Sequence, residues 1–260
     1  MAELIEIIEP SIEVITEPDI LKRIELCGRV CYKSEDKITE DSAERFVKGI
    51  VDRGHTSVAE HAQIRITQSL FSSLYNSESR QDCAWSGIFD RMTVDAESRD
   101  VIINIRDYFM LGGTVESLKG AQHCDEDFMT VRFICDRGVS HELVRHRKLS
   151  FSQESTRYVN YAKKDKIQVI STVPLELPGD SYRWWETACN VAADMYLSMI
   201  RDGATPQAAR AVLPNSTKTE IIVSGKLRWW EHMLKLRLDK AAHPQMRYLM
   251  EILNDEVKLI

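Results

Sequence analysis

The sequence holds six cysteines but no CxxC pair, and no histidines follow Cys27, Cys31, Cys83, Cys124, Cys135 or Cys189 at zinc-finger spacing. A structural zinc site is excluded, and no metal is expected. Reduced, mostly buried thiols are the expected state of the cysteines. No cysteine follows a proline, and none adjoins an arginine cluster in sequence. Neither GxGxxG nor GxxxxGK[ST] occurs, so the familiar glycine-rich phosphate loops are absent. No apolar run approaches the roughly 20 residues that cross a bilayer. The opening MAELIEIIEPSIEV lacks a basic stretch followed by an apolar one, so it reads as no secretory signal, and a cytoplasmic location is expected. Surplus positive charge is missing too. Lys and Arg number 34 against 40 Asp and Glu, a formal charge of −6. The overall field therefore draws the chain to neither nucleic acid nor anionic membrane, and any phosphate must be held by a local basic cluster.

What is present suits one globular domain. The 260 residues, 43% of them hydrophobic, suffice for a sizeable core. Residues 5–15 read as a strand interrupted at Pro10. Pro18 opens a helical pattern through Ile20, Ile24, Cys27 and Cys31. A second helix is expected over about 41–52, stopping near Gly54. Residues 62–67 read as a short strand, 98–111 as a helix, and Gly112-Gly113 as a break. Residues 62–127 as a whole read as an inserted helical subregion of a single domain spanning 1–260. Residues 128–135 read as a strand. Ser140 is the expected N-cap of a helix through Arg147, and a polar loop should run to Tyr161. Further strands are expected over 166–172 and 219–224. Helices are expected over 181–201, from Thr205-Pro206, over 227–238 and over 243–253. The fold class is α+β, a mixed sheet packed with helices.

The segment richest in chemistry is RHRKLSFSQESTRY, residues 145–158. Its guanidiniums are permanently charged forks suited to phosphate, and its serines and loop N–H groups can add neutral donors. Taken from composition alone, a solvated basic loop or arginines paired with the surplus carboxylates would fit equally well. Arg145-His146-Arg147 followed by Ser155 and Arg157 resembles the signature of flavin-dependent thymidylate synthases. GHTSVAEH at 54–61, ARAVLPNSTKTEI at 209–221 and SGKLRWWEHMLKLR at 224–237 resemble three further segments of that family, in order. The match is least clear over 62–127.

The resemblance implies a thymidylate synthase-complementing type of fold and the reductive methylation of dUMP to dTMP. FAD is the implied cofactor, with NADPH and 5,10-methylenetetrahydrofolate as co-substrates. It implies a dUMP pocket from Glu142, Leu143, Val144, Arg145, Gln153, Glu154, Ser155, Thr156, Arg157 and Arg210. Arg237 is placed against the uracil ring as the catalytic residue. FAD contacts are implied for His55, Ser57, Arg145, His146, Arg147, Gln153, Lys226, Arg228 and His232. Lys226 and His232 stand where many relatives carry asparagine. On a helix advancing about 100° per residue, Arg228 and His232 lie about 40° apart and Arg237 about 180° from Arg228. Such a helix would serve different parts of composite sites at subunit interfaces, in line with the homotetramer that the resemblance implies.

A cysteine attack on C6 is disfavoured, because no cysteine has the expected neighbours. Charge stabilisation by Arg237 replaces it in this reading. Ser155 lacks an adjacent base, so phosphate binding is favoured over a nucleophilic role. Trp184-Trp185 and Trp229-Trp230 read as core or interface residues before flavin stackers. His123, His141 and His243 lack ligand spacing, and Lys163-Lys164-Asp165-Lys166 reads as a solvated turn. Two other readings stay open. One is a non-catalytic nucleotide- or RNA-binding protein, which the charge of −6 disfavours. The other is a flavoprotein with a different substrate, which Ser155, Arg157, Arg210 and Arg237 together disfavour.

Overall fold

The structure, a computed structural model, describes residues 3–75, 92–163 and 166–260. Cys83 and the Lys164-Asp165 part of the expected turn lie outside the described residues. The chain divides into two compact units, one from Met1–Val14, Val30–Lys33 and Val131–Ile260, the other from Ile15–Arg29 and Ser34–Thr130.

The first unit holds a four-stranded sheet. Its strands run in the order Ser11–Val14, Phe128–Asp136, Lys218–Lys226, Ser150–Gln153. The two outer pairings are antiparallel, with Val14 opposite Val131 and Gln153 opposite Ile221. A second, parallel pair joins Ile5–Ile8 to Ile167–Ile170. Pro10, which cannot donate to a ladder, thus separates two strands that enter different sheets. Every residue of Lys218–Lys226 is buried. A strand covered on both faces usually reads as continuously apolar, yet this one carries Lys218, Glu220 and Lys226, so its charges must find partners inside. The helix Pro244–Val257 buries Met246, Leu249, Met250 and Leu253, a spacing that lines one helical face. On the helix Leu227–Arg237, Trp230 is fully buried and stacks on Phe133 at 6.3 Å between ring centroids. Ser181–Arg201 forms the long helix expected from the sequence and ends before Gly203, at φ 91°.

The second unit packs helices Ile20–Val30 (to Arg29), Ser42–Asp52, Gln68–Tyr75 and Ile105–Met110 with a three-stranded sheet. In that sheet Gln63–Ile66 and Thr93–Val94 flank Val101–Asn104. The helix expected over 98–111 is therefore corrected. Val101–Asn104 is a wholly buried strand, and only Ile105–Met110 is helical. β-Branched residues favour the pleated, buried position, and the Asn104 side chain starts the helix by accepting from the Arg106 N–H at 3.0 Å.

Two more expectations change in the first unit. The helix placed after Ser140 spans Arg137–Leu143 instead, and its N-cap is Asp136, which accepts from the Val139 N–H at 2.7 Å. The expected polar loop contains the strand Ser150–Gln153, whose polar residues carried no apolar alternation.

Candidate functional site

The helix Arg137–Leu143 unwinds through short turn bonds, Arg145 N–H to the Glu142 carbonyl at 3.2 Å and His146 N–H to that of Leu143 at 3.1 Å. Arg145, His146 and Arg147 therefore sit together on a tight loop. The chain then enters Ser150–Gln153 and pairs with Lys218–Lys226. Gly225 permits this approach, since a Cβ there would lie 2.5 Å from Leu149 Cδ2. The helix Leu227–Arg237 continues directly from that buried strand, so it faces the loop. Between them lies a cavity of about 320 Å³ lined by Arg145, His146, Arg147, Lys148, Leu149, Trp229, His232, Leu236 and Arg237.

Arg237 is fixed by three hydrogen bonds. It donates from Nε to His146 Nε2 at 3.0 Å, from Nη1 to Glu142 Oε2 at 2.5 Å and from Nη2 to the Glu142 carbonyl at 3.2 Å. Glu142 thus pairs with Arg237 rather than Arg145. His146 can accept only as a neutral ring. Burial, then the charges of Arg237 and His232, lower its pKa to about 4. His232 and Arg237 line the same cavity, although they sit well apart on an ideal helical wheel, because arginine is long. Arg228 is exposed and lies over the Trp229 ring at 5.0 Å, with the Lys148 ammonium 5.7 Å from the same ring. Lys226, at the N-cap of that helix, is buried.

A second group of expected residues gathers around 153–157. Gln153 donates to Ser140 Oγ at 2.9 Å and Thr219 Oγ1 at 3.2 Å. It thereby ties its strand to the helix bearing Glu142. The Glu154 carboxylate is buried and accepts from the Tyr161 hydroxyl and the Lys218 ammonium, both at 3.3 Å. The Ser155 N–H donates to the Cys31 carbonyl at 3.1 Å. Ser155 Oγ accepts from the Arg157 N–H at 3.3 Å. Arg210 donates to Thr156 Oγ1 at 3.2 Å, so Arg157 and Arg210 flank one turn. Leu143 is a core side chain, leaving only its backbone to a ligand, and Val144 is exposed.

In the second unit, His55 and Ser57 are exposed. His55 precedes the short 3-10 helix Thr56–His61, and its N–H is held by the Ile50 carbonyl at 2.8 Å. His61 and His123 are buried, and His123 Nδ1 accepts from the Gln63 N–H at 3.1 Å. Trp184 is exposed, while Trp185 donates to Ser216 Oγ at 2.8 Å. Burial pushes the Cys135 thiol upward and that of Cys189 to about 11, which leaves both unreactive as thiolates.

Sequence reasoning passed over the ionic residues beside this group, namely Lys33, Arg132, Lys218 and Glu220. The signal was available in Lys218-Thr219-Glu220. Residues i and i+2 of a strand share a face, and an opposite-charge pair placed so just before the apolar run Ile221-Ile222-Val223 asks for buried partners.

The cavity wall of this mixed α+β unit presents guanidiniums, an imidazole pair and an indole, side chains whose chemistry suits anionic and planar groups. Comparison with known proteins narrows the reading. The family described as thymidylate synthase complementing protein matches residues 13–75 and 122–260, and the chain belongs to it. Flavin-dependent thymidylate synthase from Mycolicibacterium gilvum is 25% identical over 258 residues, covering 92% of this chain and 76% of the relative. The enzyme of the same name from Mycobacterium tuberculosis is 26% identical over 243 residues, covering 87% and 70%. Among solved structures, a UMP/dUMP methylase from Streptomyces cacaoi aligns over 98% of this chain and 92% of its own, at 17% identity and TM-score 0.47. Thymidylate synthase X from Helicobacter pylori, solved with FAD and dUMP, aligns over 95% and 93%, at 15% identity and TM-score 0.45.

Proposed function

We propose that this protein is a flavin-dependent thymidylate synthase that methylates dUMP at C5 to give dTMP. FAD is its cofactor, 5,10-methylenetetrahydrofolate donates the carbon and leaves as tetrahydrofolate, and NADPH reduces the flavin. Family membership and the relatives' shared name support the reading. The observation that carries it is the anchoring of Arg237 by Glu142 and His146 on the wall of a basic cavity.

A guanidinium has five N–H donors. Three of those on Arg237 are engaged, which leaves two to meet a pyrimidine. Held in place by neighbours, this cation needs no reorganisation when negative charge develops on uracil N3 and its carbonyl oxygens. That charge raises electron density toward C5, and preorganised stabilisation of this kind is worth several kcal/mol, roughly 3–4 for one donor. Ser155, Arg157 and Arg210 are assigned to the dUMP phosphate, with Gln153, Glu154 and Thr156 shaping the turn that carries them. Glu142, Leu143, Val144 and Arg145 complete the nucleotide side.

The cavity's donor set suits FAD. Arg145, Arg147 and Lys148 offer charge to a pyrophosphate, and His146, His232 and the Trp229 face offer polar and aromatic surface to a ring system. His55, Ser57, Gln153, Lys226 and Arg228 are assigned to FAD with them. When bound, the reduced flavin supplies the reducing equivalents of the methylation. We further assign a homotetramer with sites at subunit interfaces, and a cytoplasmic location.

The test is direct. Purified protein should be yellow with flavin absorbance bands. It should release tritium from C5-labelled dUMP only when NADPH and methylenetetrahydrofolate are both present. Colourless protein that releases no tritium after addition of FAD would end this reading.

A further inference from the structure

We infer that Glu220 is a positioning residue for the turn 155–157, an inference that rests on the dUMP reading above. Glu220 is buried and gathers three cations. Lys33 and Lys218 donate to Oε1, and Arg132 donates to Oε2 through Nη2 and through Nε, the latter at 3.0 Å. Burial alone would raise the Glu220 pKa. Hydrogen bonds from Lys218 and Lys33 outweigh it and hold the group near 2, so it stays charged.

Two arms of this cluster lead to the proposed phosphate-holding turn, while the third, Arg132, reaches Glu13 on the neighbouring strand at 3.6 Å. Lys218 is shared with the Glu154 carboxylate, the residue immediately before the turn, at 3.3 Å. The Glu220 carbonyl accepts from the Glu154 N–H at 2.8 Å, extending the ladder one residue beyond Gln153. Lys33 belongs to the stretch whose Cys31 carbonyl holds the Ser155 N–H, and whose Tyr32 ring lies 5.4 Å from that of Tyr158. Lys33 itself adopts a left-handed backbone, at φ 48°. A residue with a Cβ rarely takes that conformation without compensation, and the buried carboxylate supplies it. Glu220 therefore ties the stretch 31–33 and its own strand to the turn that carries Ser155, Thr156 and Arg157.

A cluster that only stabilised the fold would, when weakened, lower the melting temperature and leave the Michaelis constants together. A positioning role loosens the turn and weakens dUMP binding in both ground and transition states, which raises KM for dUMP and spares kcat. The FAD-loaded full chain is compared with Glu220→Gln, Lys33→Met and Lys33→Arg. Steady-state kinetics are measured for dUMP and NADPH, with flavin content and melting temperature alongside.

Glu220→Gln should raise KM for dUMP about tenfold, with kcat and KM for NADPH within about twofold. Lys33→Met should raise it in the same direction, and Lys33→Arg should restore it. The lysine pair decides the matter if Glu220→Gln fails to fold. Unchanged KM for dUMP in both Glu220→Gln and Lys33→Met overturns the inference while leaving the synthase reading intact, as does a parallel rise in both Michaelis constants. Wild-type protein that does not turn over dUMP overturns both readings at once.

Discussion

Arg237 is one residue on which chemistry and local electrostatics can be separated. Its bonds to His146 and Glu142 require a neutral imidazole and an anionic carboxylate. Arg237→Ala should lower kcat/KM for dUMP by about 10²–10³ while the unfolding midpoint moves little, because one fixed donor of developing charge is lost from a partly exposed site. Steady-state kinetics and a urea titration check both halves. The same pair makes a spectroscopic prediction. His146 titrates near 4 because burial comes first and the Arg237 cation second. Arg237→Gln removes the second cause only, so an NMR titration should place the His146 midpoint above that of wild type and still below the ordinary 6.5. An unmoved midpoint would mean that Arg237 does not face the ring in solution.

At the scale of elements, caps and faces set the expected costs. Asp136→Ala should destabilise the protein by about 1 kcal/mol through loss of the N-cap that starts the helix bearing Glu142. Leu249→Ala, on the fully buried face of Pro244–Val257, should cost about 2–5 kcal/mol in urea unfolding, as a cavity replaces a packed side chain. Elements with a strong period were legible before any coordinates. The helix 181–201 and the strand pair around Pro10 follow from apolar spacing and from the geometry of proline. Elements that depend on a distant partner were not. Ser150–Gln153 is a strand because Ile221 to Ser224 lie beside it, and nothing in its own polar sequence announces that ladder. Val101–Asn104 is short and apolar, a pattern that helix and buried strand share, and pairing with Gln63–Ile66 decides it. The cavity's arginines and histidines were legible through the RHR motif and its companions. Lys33, Lys218 and Glu220 were not, since their meaning arises only when separate stretches meet.

Across the whole molecule, the two most strongly lowered histidines lie in the second unit. Burial, followed by the charge of Arg23, lowers both His61 and His123 to about 3. Their folded pKa lies below the unfolded value of about 6.5, so between the two the unfolded chain binds protons that the folded chain refuses, and stability falls as pH falls. From pH 7 to pH 5 each histidine should cost about 2 kcal/mol, to be read as a lower urea midpoint. A midpoint independent of pH over that range would mean that both rings reach solvent. The proposed tetramer has its own test. Co-assembly of Arg157→Ala chains with Arg237→Ala chains should recover activity if neighbouring subunits complete each site, and recover none if each chain holds its own. One further property follows from how the backbone is routed. Residues 5–14 are made well before the strands they join, which lie at 128–136 and 167–170. The first unit is thus closed only by segments made well after its first two strands. Until then its opening isoleucines stay without their neighbours, and no cut at a single position can liberate either unit as an unbroken fragment.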